Sequence, residues 1–243
     1  DPADVYTTML GALMDSYVNQ IGLSPDRPSF VPCTGWFQRL GSPNPDTVYR
    51  RAPVDPKGVY CLTGMRGTAR DLTIMPFSQA MRGLHPFDLS GIATSPEGTF
   101  ELIVSAERPK GHDGDWWRLD PETASLWLRE VSDRWGEDVP AQIAIVRLDA
   151  PPYVRPSAKA FDAQLAGLAT RVERIVEYGM LHVDGLVRDG HINAFKQVDY
   201  GASGAMPLQF YHEGLFELGE GQGLLIEARM PPDCSYFSWS LTD

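Results

Sequence analysis

Apolar residues recur along this chain at two spacings, one typical of helices and the other of strands. The opening stretch ADVYTTMLGALMDSYVNQIG has a helical spacing, and Gly22 and Pro25 indicate where this helix ends. A second helical stripe begins at Phe161, opposite a charged side, and Ser157 suits its start. The pattern therefore predicts an N-terminal helix and one long helix at about 157–188. The stripes consist of Val5, Met9, Leu10, Leu13 and Val18 in the first helix and Leu165, Leu168, Val172, Ile175 and Val176 in the second.

Between and after these helices the apolar period changes to two. The runs TVYRRAPV and GVYCLTGM are joined by DPKG, in which Pro56 and Gly58 fit a type I turn. They predict a β-hairpin that follows the Asn44-Pro45-Asp46 corner. RDLTIMPF and TFELIVSAE predict further strands, and AQIAIVRLD, which is apolar on both faces, predicts a central or sandwich-core strand. ASLWLREV fits a strand or a short helix, and GLLIEARM and CSYFSWSL predict two strands near the end.

The order of these elements indicates the fold class. Strands outnumber helices, most connections are short Pro/Gly turns, and strands and helices do not alternate as in a doubly wound sheet. We therefore expect an α+β fold with a β-rich antiparallel sandwich or jelly-roll-like core, an N-terminal helix and one long packed helix. We divide the chain into an N-terminal helical segment, 1–35, and a sandwich-like domain, 36–243, that includes the helix at about 157–188.

Composition and charge narrow the class of protein. The 243 residues are 43% hydrophobic and include six tryptophans, enough for a sizeable core. The formal net charge of −11 disfavours nucleic acid and anionic membrane surfaces as partners, because both require a concentrated basic face. No apolar run is long enough for a membrane span, so we expect a soluble, cytoplasmic protein. Cys33, Cys61 and Cys234 form no CxxC pair, which argues against a disulfide framework or a zinc site but leaves one disulfide open.

Several segments together resemble a known family. These are NPDTVYRRAPVDPKGVYCLTG, DWWRLDPETASLWLREVSDRWGEDVPAQIAIVRLD, YHEGLFELGEGQGLLIEARMPPDCSYFSWSLTD and the helix between the last two. From about Trp36 onward the chain resembles the bacterial domain of unknown function 1214 family, often joined to domain of unknown function 1254. The resemblance implies a β-sandwich core and supplies no catalytic residues. It also implies further chain after Asp243, which could carry part of a site.

The polar corner before the predicted hairpin supplies the first chemical candidates. Asp46 fits a turn-forming residue better than a catalyst, because Asp at such corners usually accepts backbone hydrogen bonds. Tyr49, Arg50 and Arg51 follow on a strand, where alternation sends the two arginines to opposite faces. One arginine could therefore point into a cavity, although two solvated strand arginines are the more common arrangement.

Other motifs restrict the chemistry. No HxxxH, HxH or HExxH spacing is present, so we predict no metal site, and adjacent His212 and Glu213 would face opposite ways in a strand. A lone histidine such as His212 is more often a hydrogen-bonded structural group. The GxSxG, P-loop and GxGxxG motifs are also missing, which disfavours serine hydrolases and nucleotide cofactors. We therefore expect no cofactor.

The aromatic residues of the strand-rich half fill a core or line an apolar pocket. We expect a pocket enzyme that performs lyase, isomerase or hydrolase chemistry by acid/base catalysis on a small, uncharged, amphiphilic substrate. The alternatives are a non-catalytic module that binds carbohydrate or protein, and a structural protein, with a homo-oligomer left open. The candidate catalytic residues are Asp46, Tyr49, Arg50 and His212, and the candidate substrate-binding residues are Asn44, Trp116, Trp117, Trp127, Tyr211 and Trp239.

Overall fold

The computed structural model describes residues 2–35, 43–198, 209–234 and 236–241. Helix α1 (Pro2–Tyr17) continues into a π-helical turn, and helix α2 (Ala158–Arg188) begins after Ser157, whose Oγ accepts a hydrogen bond from the Ala160 N–H at 3.2 Å. The strands are β1 (Val31–Pro32), β2 (Thr47–Pro53), β3 (Tyr60–Met65), β4 (Asp71–Ser78), β5 (Phe87–Asp88), β6 (Thr99–Ser105), β7 (Trp116–Arg118), β8 (Thr123–Val131), β9 (Gln142–Arg147), β10 (Lys196–Val198) and β11 (Tyr211–Glu213).

Two sheets form the centre of the molecule. The first has the order β1-β2-β8-β4-β5 and is antiparallel throughout, whereas the second has the order β7-β6-β3-β9 and pairs β6 with β7 in parallel. Strands β10 and β11 form a separate antiparallel ribbon. The structure therefore has an α+β fold with a sheet-rich core, as predicted, while the finer jelly-roll likeness stays a prediction.

The core lies between the facing surfaces of the two sheets, where alternate residues of each strand meet. Burying one large aliphatic side chain contributes about 1.5–3 kcal/mol, so this layer supplies most of the stability of the sandwich. Trp117 is the tryptophan that the described residues contribute to this cluster, and the other members are mainly aliphatic. The central members are Ala52, Leu72, Ile74, Leu126 and Leu128 from the first sheet, and Tyr60, Leu62, Phe100, Leu102, Val104 and Ile145 from the second.

The predicted hairpin of β2 and β3 is wrong, although its turn is present. Gly58 N–H donates to the Asp55 carbonyl at 2.9 Å, and Lys57 N–H donates to the Asp55 carboxylate at 3.0 Å. The turn carries the chain from one sheet to the other, because β2 pairs with β8 and β3 pairs with β6 and β9. Tyr60 fixes this crossing, since its hydroxyl accepts from Asp55 N–H at 2.7 Å and donates to the Pro25 carbonyl at 3.0 Å.

Four other predicted segments differ from the structure or were left open by the sequence. ASLWLREV is a strand, β8, at the centre of the first sheet. AQIAIVRLD forms the edge strand β9 and not a central strand; Ile145 on it belongs to the core of the sandwich, whereas Val146 is exposed. The described residues of GLLIEARM and CSYFSWSL form no strand, and most are exposed. An apolar run forms a strand only where a partner edge is available, which periodicity alone does not show.

The two helices pack along each other, and both leave large apolar side chains exposed. Helix α1 buries Ala12, Asp15 and Ser16, whereas Met9 and Leu13 of the predicted apolar stripe are exposed. The predicted division at residue 35 stays a prediction. No described helix combines the length and the apolarity that crossing a membrane requires. The three cysteines carry free thiols, and that of Cys33 is buried.

Candidate functional site

Strand β2 presents its two arginines to opposite faces of the first sheet, as the alternation predicts. Arg50 lies in a row with Leu128 and therefore faces the interior of the sandwich. Arg51 lies in the next row with Trp127 and faces outward. Each arginine has its own carboxylate partner, so β2 contributes to two separate polar clusters on the two faces of one sheet.

The inner cluster joins Arg50 to Glu130, a carboxyl group that is only 5% exposed. Arg50 Nη1 lies 3.5 Å from Glu130 Oε2 and donates a 3.2 Å hydrogen bond to the Ala141 carbonyl. Glu130 Oε1 accepts a 2.7 Å hydrogen bond from the Ala141 N–H. Glu130 Oε2 has no hydrogen-bond partner among the described residues, so one lone-pair region of this carboxyl group is unused.

Burial raises the pKa of Glu130 above the ordinary glutamate value of 4.5. The hydrogen bond from Ala141 and the positive charge of Arg50 oppose this rise, and the negative charge of Asp138 adds to it. A carboxyl group with a raised pKa exchanges protons closer to neutral pH, and this property suits a general acid or base.

An open cleft of about 540 Å³, the sandwich-edge cleft, lies beside the pair of Arg50 and Glu130 at the edge of the sandwich. Gly64 is essential to its shape, because β3 and β9 approach so closely that a Cβ atom on Gly64 would lie 1.8 Å from the Gln142 carbonyl oxygen. Glu130 lies behind Arg50 and Ala141, which both belong to the wall. The cleft is lined by Phe30, Arg50, Thr63, Gly64, Ala141, Gln142, Ile143 and Ala144.

The Asn44 to Asp46 corner is a hydrogen-bonded turn. Asn44 Oδ1 accepts from the Asp46 N–H at 2.9 Å. The Asp46 carboxylate accepts from Trp135 Nε1 at 2.8 Å and from the Tyr236 hydroxyl at 2.5 Å, and Asn44 Nδ2 donates to the same hydroxyl at 2.8 Å. Both carboxylate oxygens of Asp46 therefore hold the corner to distant segments, in agreement with a turn-forming role.

Three predicted residues gather on the outer face of the first sheet. Tyr49 lies opposite Arg129 in one row, and Trp127 lies opposite Arg51 in the next. The guanidinium of Arg129 stands 5.9 Å from the centre of the Tyr49 ring. Burial raises the pKa of the Tyr211 phenol, and the positive charge of Arg129 partly offsets this rise. Tyr49 and Tyr211 thus lie near Arg129, and Trp127 lies near Arg51, on the face opposite to that of Arg50.

The structure separates the other predicted residues. Trp117 is a core residue, and Trp116 Nε1 donates to Ser105 Oγ at 3.0 Å. Trp239 is half-exposed near the end of the described chain. His212 is exposed on β11, and its neighbour Glu213 pairs with His182 at 3.1 Å. The predicted catalytic and binding residues therefore do not form one site.

Glu130 was not predicted, although the sequence carries a signal for it. Leu126, Leu128 and Glu130 have the same parity on β8, so the glutamate is a charged residue on the apolar face of a strand. Asp15 was missed because its partner, Arg51, lies far along the chain. Among the described residues, no group of three or more His, Cys, Asp or Glu side chains is arranged to hold a metal ion.

Comparison with known proteins supports the fold and leaves the function open. The fold is similar to the crystal structure of an uncharacterized protein from Burkholderia cenocepacia, with a TM-score of 0.78, 24% identity and 90% of this chain covered. This chain spans 63% of the length of that protein. A protein of Vibrio parahaemolyticus, VPA0106, has a TM-score of 0.37 and 11% identity over 77% of this chain and 59% of its own length, a similarity too weak to indicate a shared fold. No family model and no curated protein matches, so the resemblance to domain of unknown function 1214 stays a prediction.

Proposed function

We propose that this protein binds a small, uncharged, amphiphilic molecule in the sandwich-edge cleft and acts on it by acid/base chemistry. Glu130 exchanges the proton, and Arg50 orients the carboxyl group and donates a hydrogen bond to a polar atom of the bound molecule. The observation that supports the proposal most directly is the buried Glu130 carboxyl group, with a free oxygen 3.5 Å from an arginine that lines an open cleft. Asp46, Tyr49 and His212 take no part in this chemistry.

The chemistry of the cleft matches an uncharged substrate. Ile143, Ala144 and Phe30 supply apolar walls, and the charge of Arg50 is already balanced by Glu130. A charged ligand would disturb this pair, whereas a hydroxyl or carbonyl group can bond to Arg50 without breaking it. The pair requires no nucleotide or metal, so a lyase, isomerase or hydrolase reaction fits it best.

Binding is tested with benzyl alcohol, which combines an apolar ring with one hydroxyl group. We expect it to shift the methyl NMR signals of Ile143 and Ala144 in the wild type. The variant Ala144→Trp should block the shift of Ile143 because its side chain fills the cleft. Val146→Trp is the matched control, since Val146 is exposed on the same strand and does not line the cleft. Equal binding by both variants would place the ligand elsewhere.

Catalysis is tested with p-nitrophenyl acetate, an uncharged amphiphilic ester. We expect hydrolysis above the buffer rate in the wild type, a loss of about 100-fold in Glu130→Gln, as for removal of a general base, and no change in Arg82→Gln. Arg82 is an exposed arginine that pairs with Glu122 and serves as the control. Unchanged hydrolysis in Glu130→Gln would refute the assigned role of this residue. Binding of benzyl alcohol without any hydrolysis would favour a non-catalytic module.

A carbohydrate-binding module is the second candidate, and Trp239 is the observation that favours it. Its side chain is half-exposed and lies near two other rings, 5.6 Å from Phe195 and 5.7 Å from Phe237 between ring centres. Sugar rings stack on exposed aromatic groups of this kind. Cellobiose should quench tryptophan fluorescence in the wild type and not in Trp239→Ala if this function is correct.

A further inference from the structure

The outer face of the first sheet holds a second polar cluster, built on Arg51, Asp15, Arg171 and Trp127. The Arg51 side chain is 7% exposed and that of Asp15 is 6% exposed, so both charges are removed from water. Asp15 Oδ1 lies 3.5 Å from Arg51 Nη2, and Asp15 Oδ2 accepts a 3.0 Å hydrogen bond from Arg171 Nη2. One carboxylate from α1 therefore serves two guanidinium groups, one from β2 and one from α2.

Several buried donors of this cluster form no hydrogen bond in the part of the chain that the structure describes, although one of them, Arg51 Nη2, lies at ion-pair distance from Asp15. They are Arg51 Nη2, Arg171 Nε and Trp127 Nε1. Buried N–H groups are almost always hydrogen-bonded in folded proteins, and an unsatisfied one costs about 1–3 kcal/mol. Three such donors in one cluster indicate that an acceptor group belongs there.

The charge of the cluster identifies that acceptor as an anion. Arg51 and Arg171 share the single carboxylate of Asp15, which leaves one positive charge in excess between these three groups. The nearby Cys33 thiol does not supply the missing negative charge, because burial raises its pKa to about 11. A monoanion would complete both the charge balance and the hydrogen bonds.

The surroundings of the donors indicate the chemistry of the rest of this anion. The Trp127 ring lies 5.3 Å from the Arg51 guanidinium and 4.9 Å from the Phe77 ring, measured to ring centres. Met75, in the same row as Trp127, is buried. Trp127 and Arg171 are themselves only half-buried, so parts of both side chains reach solvent while their donor atoms stay buried. An apolar body attached to a planar carboxylate fits these neighbours better than a compact, fully polar anion does.

We propose that the outer face of β2 and β8 binds a small organic monocarboxylate beneath α1 and α2. Its carboxylate accepts hydrogen bonds from Arg51, Arg171 and Trp127, and its apolar body packs against the Trp127 ring. This site lies on the opposite face of the sheet from the sandwich-edge cleft. A negative result at one of the two sites would therefore leave the proposal for the other unchanged.

Calorimetric titration with sodium benzoate in chloride-free buffer tests the proposal, with benzamide as the uncharged analogue. We expect the wild type to bind benzoate and not benzamide. The variants Arg171→Gln and Trp127→Phe each remove one donor, and each should weaken benzoate binding by about tenfold or more. The matched control Arg82→Gln removes an exposed arginine and should leave the affinity unchanged.

Several results would overturn the proposal. These are no benzoate binding by the wild type, equal binding of benzamide, wild-type affinity in both donor variants, or tighter binding of inorganic phosphate than of benzoate. Arg51 is left intact because its burial makes loss of folding the expected result of replacing it. Arg171, whose side chain is 30% exposed, supplies the variant that is expected to fold.

Discussion

The pair of Arg50 and Glu130 gives the sharpest prediction for the stability of the fold. Replacing Arg50 with Met leaves the Glu130 carboxylate buried with its Ala141 hydrogen bond and without its cation. Removing one partner of a buried pair is destabilising because the remaining charge is uncompensated. We therefore expect Arg50→Met to lower the free energy of unfolding near pH 7, mainly because the buried Glu130 carboxylate loses its counter-charge.

The separation of the two charges sets the size of this effect. At 3.5 Å, Coulomb's law gives about 1 kcal/mol in water and about 5 kcal/mol at an effective dielectric constant of 20. Arg50 is 23% exposed, so solvent screens part of the attraction. We expect a coupling energy of about 1–3 kcal/mol from the double-mutant cycle of Arg50→Met and Glu130→Gln near pH 7.

The coupling should depend on pH. Because the pKa of Glu130 is raised in the folded state, the native protein binds more protons than the unfolded chain as the pH rises from 4.5 towards that pKa. Over this range the contribution of Glu130 to the free energy of unfolding falls with increasing pH, by at most about 1.4 kcal/mol per pH unit for one proton. Glu130→Gln should lack this component, and below pH 4.5 the coupling to Arg50 should approach zero.

Urea denaturation of the wild type, the two single variants and the double variant, followed by circular dichroism at neutral and acid pH, measures the coupling energy and its pH dependence. The exposed pair Arg82 and Glu122 provides a matched control cycle, for which we expect coupling close to zero at both pH values. The reasoning is refuted if the coupling of Arg50 and Glu130 near pH 7 does not exceed that of the control. It is also refuted if the coupling has the same size in acid.

Other substitutions test the fold and the corner. Gly64→Ala should destabilise the protein by about 2 kcal/mol or more in urea denaturation, because the new Cβ atom would collide with the Gln142 carbonyl and β9 would have to move; wild-type stability would contradict the close approach of these strands. Tyr60→Phe should cost about 1–2 kcal/mol through the loss of its two backbone hydrogen bonds, with a smaller cost arguing against the sheet crossing described above. Asp46→Asn should lower the melting temperature slightly, because it weakens the hydrogen bond from Trp135. It should leave benzyl alcohol binding unchanged; loss of that binding would show that Asp46 belongs to the binding site.

Periodicity predicted the elements whose partners are determined by a clear apolar face. In β6, Phe100, Leu102 and Val104 share one face of the predicted strand, and this period of two is what a strand with one face in the core requires. The pattern failed where the partner edge decides the outcome. The DPKG turn fits a hairpin and a crossing equally well. The crossing is selected by the pairing of β2 with β8 and of β3 with β6 and β9, and the contacts of Tyr60 with Asp55 and Pro25 hold it.

Part of the candidate site was predictable in the same way. Alternation alone shows that Arg50 and Arg51 face opposite sides, and an inward arginine on a sandwich strand indicates a buried partner. The identity of that partner was beyond reach, because Glu130 is 80 residues away and meets Arg50 only through the pairing of β2 with β8. Asp46 attracted attention through its local sequence, yet its carboxylate is occupied by Trp135 and Tyr236.

The protonation of Glu130 is the property on which the proposed chemistry depends, and carbon-13 NMR of the glutamate side-chain carboxyl groups measures it directly. The Glu130 signal is assigned by its loss in Glu130→Gln. We predict a titration midpoint above 4.5 that moves when benzyl alcohol enters the cleft. A midpoint at or below 4.5, insensitive to benzyl alcohol, would contradict the account.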